Sequence, residues 1–274
     1  MKALLYTLII AGGIYLLICG LLYLYQDKFI FFPPAPEAET YSLVKQNEIT
    51  FTAPVSSQGE KSESRKIHGW KISIRPDAGR TILYFGGNAE DVVYFNQEAL
   101  NLQARQAIAF NHPGYGRSEG HPSQQSFYQN ALDVYDFALK EYQLKPKEII
   151  IMGRSLGSSA AAYLAANREN AGLVLVTPFD SIESIAAQRF KYFPIKLILK
   201  HPFHTIKSIK QVKSTILILA AENDEMIGRI HLENLIMAAG RETDVVRYPE
   251  VGHNTVQTHP EYYKKLNRFI GESQ

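Results

Sequence analysis

The sequence predicts an α/β fold: a mainly parallel central sheet with helices on both faces, preceded by one N-terminal transmembrane helix. Three observations carry this. From residue 49 onward, short apolar runs alternate with helix-length stretches, the pattern of strands feeding crossover helices. Within that pattern, Ile149-Ile150-Ile151-Met152 runs into Gly153-Arg154-Ser155-Leu156-Gly157 and then into small residues that suit a helix, which is the order strand, sharp turn, helix. Ahead of it all, residues 3–25 carry no charge.

The whole chain sets the bounds. Its 274 residues suffice for one large domain with a substantial core. The formal net charge is +2, and no basic block with interleaved aromatics occurs, so nucleic acid is not an expected partner. Cys19 is the single cysteine, which excludes an internal disulfide and a cysteine-based zinc site.

Residues 3–25 match the roughly 20 needed to cross a bilayer as a helix. A cleaved signal peptide has a shorter apolar region and a small-x-small exit. Here the exit is Tyr23-Leu24-Tyr25-Gln26, whose tyrosines suit a membrane interface instead. Cys19-Gly20 is similar to a lipoprotein processing site, but Ile18 stands where a small residue is wanted and the apolar run continues. The expectation is an uncleaved anchor over 1–27, with the lipid bilayer as a partner. Lys2 and the α-amino group lean slightly toward a cytoplasmic N-terminus and a non-cytoplasmic main domain. Residues 28–47 then read as a proline-rich tether, because Pro33, Pro34 and Pro36 stiffen the chain and forbid helix. It is expected to lie on the domain or in the membrane interface.

The domain proper spans 48–274. Residues 49–51 and 67–74 read as opening strands, with a polar loop over 56–66. Further strands are expected at 81–85, 107–110, 149–152, 172–176, 215–221 and 244–248. Helices are expected at 123–142, from the turn after Ser155 to 168, at 230–239 and at 260–270, the last with Pro260 near its first turn. Residues 178–213 form a small lid-like crossover carrying Arg189, Lys191, Tyr192, Phe193, Lys196, Lys200 and Phe203. In such sheets the ligand crevice lies at the carboxyl ends of the strands.

The chemistry-bearing residues follow strand ends. Ser155 on its strained turn is the candidate nucleophile; Gly153 and Gly157 let strand and helix backbones pass closely, and the helix N-terminus favours an oxyanion. Serine needs a base, and the base needs an orienting carboxylate. His253, in Gly252-His253-Asn254 after the last strand, is the candidate base; His259 is its rival. Asp224, after the 215–221 strand, is the candidate acid and completes the chain order Ser, Asp, His. Asp180 is the alternative acid, with a helix N-cap as its plainer role. The oxyanion donors are expected to be the N–H groups of Leu156 and of Asn88, which follows Gly86-Gly87. Gly87, His112 and Tyr115 are expected to line the substrate pocket. No metal or organic cofactor is called for.

These marks, with Tyr25-Gln26-Asp27-Lys28-Phe29-Ile30-Phe31-Phe32-Pro33, Gly87-Asn88-Ala89, Pro113-Gly114-Tyr115-Gly116-Arg117-Ser118-Glu119-Gly120, Thr177-Pro178-Phe179 and Asn223-Asp224, resemble the α/β-hydrolase fold serine hydrolases. The branch they resemble is that of small membrane-anchored members, which includes protein depalmitoylases and lysophospholipid lipases. The resemblance covers residue 25 to the C-terminus. It implies hydrolysis of a carboxylic acyl ester or thioester through an acyl-enzyme; a peptidase of the same fold or a non-catalytic scaffold are the alternatives. Two departures bear on pocket shape: Gly86 replaces the usual His, and Asn111-His112 replaces the usual Asp-Tyr.

Overall fold

A computed structural model describes residues 1–54, 64–240 and 243–272. The chain begins with α1 (Lys2–Tyr25), a single turn α2 (Asp27–Ile30) and α3 (Ala38–Leu43). There follow β1 (Glu48–Pro54), β2 (Ser64–Ser73), β3 (Thr81–Phe85), α4 (Phe95–Ala99), β4 (Gln106–Phe110) and α5 (Gln124–Tyr142). The second half contains β5 (Ile149–Arg154), α6 (Leu156–Asn167), β6 (Gly172–Val176), α7 (Ile182–Arg189), α8 (Ile195–Ile198) and α9 (Thr205–Ile209). It closes with β7 (Ile216–Ala221), α10 (Arg229–Ala239), β8 (Thr243–Tyr248) and α11 (Tyr262–Glu272).

The eight strands form one sheet in the order β1-β2-β4-β3-β5-β6-β7-β8. β2 pairs antiparallel with β1 and β4, and every later pairing is parallel. The side-chain period of two splits each central strand between two cores. Tyr84, Ala109, Met152, Val174 and Leu219 face a layer completed by Phe95 of α4 and by Tyr262, Leu266 and Ile270 of α11. Leu83, Phe110, Ile151, Leu175 and Ile218 face the layer of α5, α6 and α10, through Val134, Tyr135, Ala161, Leu164 and Leu235. Strands buried on both faces read as unbroken apolar runs for this reason.

Most expected elements occur within a residue or two. β1 is longer than the expected 49–51 because its backbone pairs with β2 as far as Pro54. The loop expected over 56–66 lies outside the described residues up to 63, and residues 64–66 belong to β2. α11 starts at Tyr262, so Pro260 occupies the preceding turn rather than the helix. Helix α5 is capped by Ser123, whose hydroxyl accepts from the Ser126 N–H at 3.0 Å.

The segment after α1 is packed on the domain. Prolines keep residues 33–36 out of helix, but α2 and α3 flank them. Phe31 is buried and packs tilted against Phe127 and edge-on against His201 and Phe203, with ring centroids 5.5, 5.2 and 6.0 Å away. Tyr41 is buried as well, and its hydroxyl donates to Asp91 at 2.5 Å. Burial and the carboxylate beside it push the Tyr41 phenol far up. Helix α1 is mostly exposed, but its C-terminal half rests on the crossover. Tyr15 Oη donates to the Tyr192 carbonyl at 2.8 Å, and its ring stacks on Phe193. Gln26 Nε2 donates to the Ile198 carbonyl at 2.9 Å, while its Oε1 accepts from the Lys200 N–H at 2.6 Å.

Candidate active site

Ser155 sits at the sharp bend between β5 and α6 with φ +47° and ψ −118°. A side chain rarely adopts this conformation, and here the surroundings impose it. The Ser155 N–H is tied to the Val176 carbonyl on β6 at 2.9 Å. A Cβ on Gly157 would lie 2.3 Å from the carbonyl oxygens of Phe85 and Gly86, and one on Gly153 2.5 Å from the Gly157 carbonyl. Both glycines are therefore required by close backbone approach, as expected from the motif. The small residues that follow, Ser158 to Ala162, let α6 lie tight on the sheet and are all buried.

Three loops from three strand ends converge on Ser155. His253 Nε2 lies 2.9 Å from Ser155 Oγ, and His253 Nδ1 lies 2.8 Å from Asp224 Oδ2. Asp224 cannot swing away, because its Oδ1 accepts from the N–H groups of Met226 and Ile227 at 3.0 and 2.7 Å. A carboxylate accepts only, so Nδ1 of neutral His253 carries the proton and Nε2 presents a lone pair to the serine hydroxyl. Glu225 completes the loop by accepting the His253 N–H at 3.0 Å, which holds its carboxyl below the usual range.

Asp180 is occupied elsewhere. It is buried, 3.0 Å from His231 Nδ1, and accepts from Asn234 at 3.0 Å and from the Ser184 hydroxyl. Its expected N-cap role belongs to Ser181, which accepts from the Ser184 N–H at 3.0 Å. His231 is the buried partner that holds Asp180. His259, the rival base, packs tilted against the Tyr248 ring instead.

The loop after β3 faces Ser155 from the other side. A Cβ on Gly87 would come within 3.5 Å of Ser155 Cβ, so the backbone there passes close over the serine. The Gly87 N–H is taken by Glu90 at 2.7 Å, whereas neither the Asn88 nor the Leu156 N–H has an intramolecular acceptor among the described residues. The Asn88 side chain, whose Oδ1 accepts the Ala89 N–H at 3.1 Å, is engaged by three further partners. Oδ1 accepts from Tyr115 Oη at 2.8 Å and from the Phe32 N–H at 3.1 Å, and Nδ2 donates to the Ile30 carbonyl at 2.7 Å.

His112 and Tyr115 stand behind this loop rather than along an open pocket wall. Both are fully buried. His112 Nε2 donates to the Gly86 carbonyl at 2.9 Å, its ring lies flat on Phe127, and burial pushes its pKa down to about 4. Burial raises the Tyr115 phenol strongly. The sequence placed them correctly at a strand end but as pocket lining. The structure gives them the task of supporting the Gly86–Asn88 backbone.

Two contributors were missed. Glu90 holds the Gly87 N–H and the Tyr84 hydroxyl, and its position three residues after Gly87 was the available signal, as in a capping pattern. Arg154, the variable residue of the serine motif, is largely buried; it donates to the Asn254 carbonyl at 3.3 Å and pairs with Glu98 at 4.0 Å. It thereby ties the serine turn to the histidine loop.

Comparison with known proteins agrees with this architecture. A sequence family described as alpha/beta hydrolase fold matches residues 80–195, which include Ser155 but neither Asp224 nor His253. The Arabidopsis thaliana alpha/beta hydrolase domain-containing protein WAV2 is 27% identical over 280 residues, covering 93% of this chain and 90% of its own. The Xenopus tropicalis alpha/beta hydrolase domain-containing protein 17B is 26% identical over 266 residues, covering 89% and 90%. Among solved structures, an esterase of Pyrococcus furiosus superposes with a TM-score of 0.64 at 15% identity, covering 88% of this chain and 97% of that one. Matched sequence, parallel sheet and serine turn agree: this chain has the α/β-hydrolase fold.

Proposed function

We propose that this protein is a serine hydrolase that cleaves carboxylic esters or thioesters through an acyl-enzyme. The observation that carries the reading is the continuous relay Ser155–His253–Asp224, with contacts of 2.9 and 2.8 Å drawn from three separate strand ends. Ser155 Oγ attacks the acyl carbon while its proton passes to His253 Nε2. Asp224 stabilises the resulting imidazolium and keeps the ring oriented. The oxyanion is met by the N–H groups of Leu156 and Asn88, the former at the positive end of α6. Collapse of the tetrahedral species breaks the bond to the alkoxide or thiolate, which leaves with the proton from His253. Water then attacks the acyl-serine, giving its proton to His253, and Ser155 is released as the carboxylic acid departs.

A fluorophosphonate probe tests the reading. Labelling of the wild type but not of Ser155→Ala is expected; a folded wild type that takes no label would sink it. A panel of p-nitrophenyl esters of increasing chain length then defines the acyl preference.

Helix α1 belongs to the same reading as an uncleaved anchor. It has 24 residues, a mean hydropathy of 2.3 in its most apolar window, and a hydrogen bond from Tyr15 to the Tyr192 carbonyl of the crossover. Intact-mass measurement of the mature protein checks it, and a start near residue 26 would overturn it. The weak charge bias favours a non-cytoplasmic domain, which a C-terminal topology reporter checks.

A further inference from the structure

Helix α1 and the crossover run side by side over about half the length of the helix. At the exit end, the contacts are polar. Gln26 bonds to the Ile198 carbonyl and the Lys200 N–H, Lys200 Nζ lies 4.4 Å from the Tyr23 ring, and His201 Nε2 lies 3.1 Å from Asp27. At the far end, Tyr15 bonds to the Tyr192 carbonyl and stacks on Phe193. At about 1.5 Å of rise per residue, Tyr15 is about 15 Å up the axis from Tyr25. That is about half the hydrocarbon thickness of a bilayer. The crossover tip therefore lies level with the middle of α1, not with its exit.

The tip is also dressed for that level. Tyr192 is 88% exposed and Leu197 84%, and Phe190 is exposed beside them. On α1, Leu16, Leu17 and Leu24 are exposed as well. Exposed apolar side chains at the depth of a membrane helix meet the same solvent.

We propose that the segment 190–199 is a wedge inserted among the acyl chains of the leaflet next to the domain, resting on the reading of α1 as a retained membrane anchor. Lys200, His201, Tyr23 and Asp27 mark the headgroup level. Lys191 and Lys196 are exposed on the same segment, and their charges set the cost that this insertion has to meet. The inner side of the same crossover supplies Phe179, Ile182, Ile185 and Phe203 to the cluster around Leu156, next to Ser155. One element thus touches lipid on its outer side and the candidate active site on its inner side. Amphiphiles whose chains already lie in that leaflet are the substrates this arrangement fits.

The test uses the full chain with Cys19→Ser as background and a single environment-sensitive label at Leu8→Cys, Tyr192→Cys, Leu197→Cys or Glu141→Cys. Each labelled protein is reconstituted into phosphatidylcholine–phosphatidylglycerol vesicles with plain or chain-brominated lipids, after thermal melting shows it is folded. Labels at 8, 192 and 197 are expected to lose most of their emission to the bromines, while the label at 141, at the far end of α5, keeps it. Quenching at 8 with 192 and 197 behaving like 141 overturns the wedge and leaves the anchor standing. No quenching at 8 overturns the anchor and the wedge together.

Discussion

At the scale of single residues, two aspartates that look alike in sequence have different work. Asp224 holds the ring of His253, so Asp224→Asn is expected to lower kcat by about 10⁴ through the wrong imidazole tautomer, with little change in thermal stability. Asp180 holds His231, Asn234 and Ser184 in a buried knot, so Asp180→Asn is expected to cost about 3 kcal/mol of stability while the folded fraction keeps its turnover. Measuring Tm and kcat on both variants separates the roles; the reverse pattern would exchange them. His112 gives a second case. It is held neutral by burial, with a pKa near about 4, whereas the unfolded chain takes up that proton near about 6.5. The unfolded state therefore binds more protons between those values, and stability falls as pH drops from about 6.5 to about 4. His112→Gln retains a donor for the Gly86 carbonyl and removes the titration, so its Tm is expected to fall less steeply over that window. An unchanged slope would assign the effect to His68, His201 and His204, which burial also shifts downward.

At the scale of elements, the serine turn depends on how closely β5, α6 and the end of β3 can approach. Gly157→Ala puts a methyl group 2.3 Å from two backbone oxygens that have no freedom to retreat. Overpacking of this kind costs about 1–3 kcal/mol. Here it also displaces the Gly86–Asn88 backbone, so kcat is expected to fall more than the stability loss explains, as assayed on a short ester well below Tm. The same loop is clamped from outside by the anchor exit through Asn88. Tyr115→Phe removes one of the four contacts to the Asn88 amide, and Asn88→Ala removes all of them. If those contacts orient the Asn88 N–H, both variants lower kcat with KM nearly constant, and Asn88→Ala lowers it more. A change confined to KM would make the clamp a pocket wall instead.

At the scale of the whole molecule, residues 27–36 are part of the folded domain rather than a linker. A chain starting at Glu37 lacks Phe31 and leaves Phe127 and Phe203 without their cover. It is expected to melt several degrees lower than a chain starting at Asp27, since losing a buried Phe side chain costs about 3–5 kcal/mol. Equal melting of the two truncated chains would show that the segment adds nothing to the fold.

Sequence alone determined the strands and the serine turn, because each rests on local pattern. Apolar runs, glycines forced by close backbones, and polar residues at strand ends are all written within a few positions of one another. Only the tertiary structure decided which aspartate meets which histidine, since Asp180 and Asp224 both follow strands and only packing brings His231 to one and His253 to the other. It alone put His112 and Tyr115 behind the Gly86–Asn88 loop, because burial depends on what α5 and the anchor exit lay over them. It alone joined Phe31 to Phe127 and Tyr15 to Phe193. Those contacts span separations in the chain that no periodicity encodes, and they form only when the sheet, the crossover and α1 are assembled together.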